Sequence, residues 1–254
     1  VRSICVDCAG RGRGNLFGSA RAARPRQWGS VRVSAQTPVV TYAIIGVCVA
    51  LWVGDILTKG VITQYLGFTP IHGLYQPWRI LTTAFLHVNL MHIAFNMVSL
   101  YAIGRALEPA LGRGPYFCLY LLSALGGTLG VLGWVLIDPS SALTVTVGAS
   151  GAIFGLFGSV FVLQRAAGID VRAVVGLLAV NLLYGFIVSG VSWQAHLGGL
   201  LFGMLATWGM LALGKPRSGM TAKKQRRRLY LGIAGMFLAE LVILVVTYMV
   251  LLNI

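Results

Sequence analysis

Few side chains in this sequence can do chemistry, and each stands in apolar surroundings. Ser150 occurs in Gly148-Ala149-Ser150-Gly151-Ala152, where small neighbours leave its hydroxyl accessible. A serine becomes a nucleophile when a base, usually a neutral histidine, takes its proton. His196, in Ala195-His196-Leu197-Gly198-Gly199, is the candidate base. His92 and Asn96 are four residues apart and share a face if helical. Both donate hydrogen bonds, which suits an oxyanion hole. The chemistry suggested is acyl transfer by a Ser–His pair. Each residue also has a plainer role: Ser150 as a small packing residue, His196 as a histidine bonded to a nearby carbonyl. The pattern around Ser150 is weak alone, because Gly follows the serine directly, unlike the Gly-x-Ser-x-Gly elbow. A metal site is a poor rival, since His-x3-Asn lacks the second His and the Glu of a zincin. Asp55 and Asp138 have nothing to place them on His196, so a dyad is expected rather than a triad. His87, five residues before His92, should point elsewhere, either lining a water path or, the plainer reading, sitting at an interface. Glu240 should find a partner within the fold, and Gln164 and Asn181 complete the polar set.

The elements that position these residues follow from composition. The chain has 254 residues, of which 57% are hydrophobic and 10% charged. An ordinary soluble domain carries about 25% charged residues. So much apolar side chain excludes disorder and cannot be hidden in a soluble globule of this size. A helix needs about 20 apolar residues to cross a bilayer. Seven windows qualify: 39–57, 82–104, 115–137, 147–164, 173–190, 193–213 and 229–252. Pro38, Pro115 and Pro139 fall at window edges, where proline belongs. No internal repeat is present, which argues against a small transporter built from paired halves.

Charge orients the spans. The chain carries 20 Lys and Arg against 6 Asp and Glu, a net +14. Of the basic residues, only Lys59 and Arg79 fall on the side opposite the N-terminus. The positive-inside rule therefore puts the N-terminus in the cytoplasm and the C-terminus outside. The charge is explained without nucleic acid, and no nucleic-acid partner is expected. The run Lys223–Arg228 is suited to anionic lipid heads.

Depth then groups the polar residues. Spans two, four and six all enter from outside. Ser150 and His196 lie three or four residues in, and His92 about ten. At about 1.5 Å per residue the first two share a level about 5–6 Å below the outer face. Ser150 also falls in a helix's first turn, where free N–H groups and the positive dipole end can stabilise an oxyanion. Gly148, Gly151, Gly155 and Gly158 form one helical face, and Gly199 and Gly203 form a matching one. If those faces meet, Ser150 and His196 meet at their common end.

These motifs together resemble the rhomboid family of intramembrane serine proteases. The resemblance covers roughly 40–213 and rests on Trp78-Arg79, His92-x3-Asn96, Gly148-Ala149-Ser150-Gly151, and Ala195-His196-x2-Gly199-x3-Gly203. Gly104-Arg105-x2-Glu108-x3-Gly112 adds to it. It implies an all-α polytopic membrane bundle: a six-helix core at 39–213, a basic cytoplasmic loop at 214–228, and an extra C-terminal span at 229–254. It implies Ser150 as nucleophile and His196 as base, with His92, Asn96 and the Ser150 backbone stabilising the oxyanion. Trp78 and Arg79 would belong to a structured first loop. The partners would be single-span membrane proteins, cut near the outer end of an easily unwound helix, in the lipid bilayer and with no cofactor. The alternative is a non-catalytic relative that binds client membrane helices, and the presence of both Ser150 and His196 argues against it. The C-terminal extra span suits a bacterial plasma membrane. The segment 1–38 is Arg-rich with one acid, Asp7, which also resembles a transit peptide. Its Cys5-x2-Cys8 is read as half a zinc site whose partner ligands would lie upstream.

Overall fold

The computed structural model describes residues 37–188 and 190–253. The Cys5–Cys8 pair and the Arg-rich segment up to residue 36 lie outside the described residues. Seven long helices organise the remainder: α1 (Val39–Leu57), α2 (Leu90–Leu111), α3 (Arg113–Val135), α4 (Ser150–Ala167), α5 (Arg172–Ile187), α6 (Trp193–Gly214) and α7 (Ala222–Leu251). Among the described residues the one β interaction is an isolated antiparallel bridge between Phe68 and Thr146. Six helices are long and apolar enough to cross a membrane, whereas α5 is a shorter apolar helix. The protein is a multi-pass helical membrane bundle.

Helix boundaries depart from expectation in three instructive places. The second span begins at Leu90 rather than near 82. Residues 79–85 instead form a short helix followed by a 3-10 turn. Asn89 caps α2, its side chain accepting the His92 N–H at 2.8 Å. Helix α4 begins at Ser150 itself, not at 147. Helix α7 begins at Ala222, capped by Thr221, so the basic run from Lys223 is its first two turns and not a loop.

Helix α3 is the hub. Within its apolar stretch 72% of residues are buried, against 17% for α1 and for α7. It packs on α4 and α6, which also pack on each other. The contact of α4 with α6 is made by bare backbone. A Cβ on Gly199 would overlap the Gly151 carbonyl, and one on Gly203 would overlap the backbone of Gly155. Small residues let two membrane helices approach closely enough for extensive van der Waals contact. Gly148 does not belong to this face, because it precedes the helix.

Helix α1 lacks a capping side chain of its own. Glu108 of α2 supplies one. Its buried carboxylate accepts the N–H groups of Val40 and Thr41 at 2.9 and 2.8 Å and the Thr41 hydroxyl at 2.8 Å. This gives the Gly104-to-Gly112 motif a mechanical role: it ties α1 to α2.

The long connection from α1 to α2 is ordered by its own polar groups. Arg79 is buried, and its guanidinium donates to the carbonyls of Gln64 and Gly67, both at 2.7 Å, and to the Gln76 side chain. Trp78 stays half exposed, with its ring N–H on the Tyr65 carbonyl at 3.2 Å. A buried guanidinium bonded to carbonyls locks a turn that has no ladder to hold it.

Candidate active site

Helices α2, α4 and α6 all begin at the same end of the bundle, and their first two turns carry the polar residues singled out from sequence. Ser150 is the first residue of α4, and no side chain caps that helix. Its first N–H groups are therefore free to meet a ligand oxygen. His196 is four residues into α6, which Ser192 caps by accepting the Ala195 N–H. The close glycine contact below brings the two helix starts together. His196 Nε2 lies 2.9 Å from Ser150 Oγ, within hydrogen-bond reach.

One turn after Ser150, Phe154 lays its ring parallel to the His196 imidazole, with centroids 4.1 Å apart and planes 10° apart. Helix α4 thus carries both the hydroxyl and the surface that fixes the plane of its partner. On the opposite edge, a Cβ on Gly185 of α5 would come to 3.5 Å from His196 Nδ1. That nitrogen is buried and has no hydrogen-bond partner among the described residues. Asp55 bonds to Thr63 and Asp138 to Ser140, so neither carboxylate is spent on His196.

His92 reaches the same point from α2. Its depth is less than the sequence suggested, since it sits in the first helical turn. The cause is the late start of α2 at the Asn89 cap. A Cβ on Gly148 would lie 2.8 Å from His92 Nε2 and 3.5 Å from Ser150 Oγ. Gly148 has φ 137°, so only glycine fits there on both counts. Its N–H donates to the Thr83 carbonyl at 3.0 Å, which fixes the approach to Ser150. Asn96 is buried and spends one amide N–H on the His92 carbonyl at 2.8 Å, leaving the other for a ligand.

Two expectations change. His87 is not at an interface: it is fully buried, and its ring stands edge-on to His92 with centroids 5.0 Å apart. Glu240 is buried in α7, and its Oε2 has no hydrogen-bond partner among the described residues where a partner was expected. Sequence reasoning also missed Phe154, Thr83 and the α3 glycines. Gly127 of α3 leaves only 3.1 Å between its missing Cβ and the Ala195 carbonyl, beside the candidate base. Among the described residues no three His, Cys, Asp or Glu side chains are placed to hold a metal ion.

Comparison with known proteins identifies the family. The rhomboid domain model matches residues 75–213, which include Ser150, His196, His92 and Asn96. Rhomboid protease GluP of Bacillus subtilis (strain 168) is 33% identical over 155 residues, covering 58% of this chain and 28% of GluP. YdcA from the same organism is 35% identical over 184 residues, covering 67% of this chain and 87% of YdcA. Rhomboid protease AarA of Providencia stuartii is 30% identical over 152 residues, covering 50% of this chain and 54% of AarA. The chain thus spans about a quarter of GluP and about half of AarA, but most of YdcA. With more than half of its length inside the matched domain, the chain belongs to the rhomboid family.

Proposed function

We propose that the protein is an intramembrane serine endopeptidase working through a Ser150–His196 dyad. The observation that carries this reading is the 2.9 Å approach of His196 Nε2 to Ser150 Oγ at the start of two packed helices. Ser150 Oγ attacks the substrate carbonyl while His196 Nε2 takes the hydroxyl proton. The carbonyl oxygen becomes an oxyanion beside the free N–H groups of the first turn of α4, the His92 ring and the remaining Asn96 N–H. The intermediate collapses, His196 returns the proton to the departing amine, and Ser150 is left acylated. A water, deprotonated by His196, hydrolyses the ester and frees the serine. Phe154 holds the imidazole plane through both steps.

The substrate class is single-span membrane proteins, cut near the end of the helix that lies level with Ser150. A peptide bond inside a helix is shielded, so the substrate must unwind locally before attack. The basic residues of the opposite face support an orientation with the site end outside and the N-terminus in the cytoplasm. The relatives suit a bacterial membrane.

Cleavage of a single-span reporter in proteoliposomes tests the mechanism. Ser150→Ala and His196→Ala should each abolish cleavage. If both variants cleave like wild type, the dyad is wrong. His92→Ala should lower kcat by about 10²–10³, the cost of one oxyanion donor.

A further inference from the structure

The family match ends at residue 213, so α7 lies outside it, yet α7 reaches the loop 68–73, which pairs with the segment that leads into Ser150. Tyr248, near the end of α7, is buried and donates its hydroxyl to the Pro70 carbonyl at 3.0 Å. The hydroxyl sits against Gly73, where any Cβ would overlap it and would also come to 2.6 Å from the Phe68 ring. Phe68 is fully buried in one apolar cluster with Tyr248, with Leu244 one turn earlier on α7, and with Ala195 beside the candidate base. Phe68 then makes a reciprocal pair with Thr146, donating its N–H at 3.1 Å and accepting the Thr146 N–H at 2.7 Å. The Thr146 carbonyl also takes the Thr83 hydroxyl, and the Thr83 carbonyl takes the Gly148 N–H. Ser150 is two residues further on.

A span that served only as an anchor would need apolar side chains facing lipid, as Ile243 and Val246 do. A buried phenol at its end asks for an acceptor, and here the acceptor belongs to a loop 178 residues away in sequence. We infer that α7 is a positioning element for the Ser150–His196 pair and that Tyr248 is its positioning residue. The Tyr248 hydroxyl holds the turn Pro70–Gly73. That turn seats Phe68, and the Phe68–Thr146 bridge sets the height at which Gly148–Ser150 enters α4. Tyr248 touches no reacting atom and acts only through this segment. The kinetic part of the inference rests on the proteolytic reading of Ser150, whereas the geometric part does not.

The test uses the full chain, comparing wild type, Tyr248→Phe, Gly73→Ala and the lipid-facing control Val246→Ala. Two quantities are read: backbone hydrogen exchange at Phe68, Thr146 and Gly148, and kcat and KM on a single-span reporter in proteoliposomes. Tyr248→Phe keeps the ring and removes one hydrogen bond. It should speed exchange at those three amides and lower kcat about fivefold, the factor an ordinary hydrogen bond is worth. KM and exchange within α3 should stay at wild-type values. Gly73→Ala, which strikes the same contact from the loop side, should give the same pattern, and Val246→Ala should match wild type. Unchanged exchange in Tyr248→Phe and Gly73→Ala, or faster exchange with wild-type kcat, overturns the inference. If Ser150→Ala cleaves the reporter as well as wild type, the proteolytic reading falls instead, and exchange alone still decides whether Tyr248 holds the segment.

Discussion

Phe154 lies one turn after Ser150 and covers the face of His196, so the candidate base is oriented by a residue with no polar atom. Phe154→Ala should leave the imidazole free to rotate, lowering kcat by about 10–100-fold, as expected for a misplacement of about 1 Å. Substrate titration would show KM little changed. Gly148→Ala should be worse placed still, because its φ of 137° is strained for any side chain and its Cβ would press on His92. We expect a loss of about 1–3 kcal/mol in stability, read as a lower unfolding temperature together with lost cleavage. Ser150, His196, His92 and Asn96 were legible in the sequence because polar groups in apolar spans are few and costly. Phe154 was not, since an aromatic residue in an apolar helix has the composition of any packing contact. His87 was misjudged for a different reason: its depth depends on a loop folding back over α3, which no local pattern reports.

The helix contacts explain both what was readable and what was not. The glycine faces of α4 and α6 repeat at helical spacing, so their meeting could be anticipated, and the contact is as tight as the spacing allows. Gly199→Val should push α6 off α4 and separate His196 from Ser150. Overpacking of this kind costs about 1–3 kcal/mol, measurable as a fall in the unfolding midpoint alongside lost activity. The start of α2 was hidden because Leu86, Val88 and Leu90 keep the hydropathy high straight through the loop. Only the Asn89 cap marks the true boundary. The central place of α3 was equally hidden, because a helix that is apolar all round looks the same facing lipid or facing protein. Glu108 could be found as part of a motif, but its task of capping α1 needed the fold. Glu108→Ala should fray the start of α1 and cost about 1–2 kcal/mol, checked by faster hydrogen exchange at Val40 and Thr41.

At the scale of the whole molecule, the lopsided basic charge predicts orientation. In a cysteine-free background, Ser218→Cys between α6 and α7 should resist a membrane-impermeant maleimide in intact cells and react in inverted vesicles. Thr58→Cys at the opposite end should behave the other way round. The reverse pattern would put the site on the cytoplasmic face. The short helix α5 has a mechanical consequence. Sixteen residues rise about 24 Å, against a hydrocarbon thickness of about 30 Å. A bilayer spanned by α5 alone would have to compress beside it, at fractions of a kcal/mol for each Å of mismatch. Since α5 flanks His196 through Gly185, that compression would fall beside the candidate dyad. On the proposed proteolytic reading, a substrate helix drifting into that dimple would find less hydrocarbon to cover its end. Unwinding that end would then cost less there than elsewhere in the membrane, and the lipid itself would do part of the work of presenting the bond.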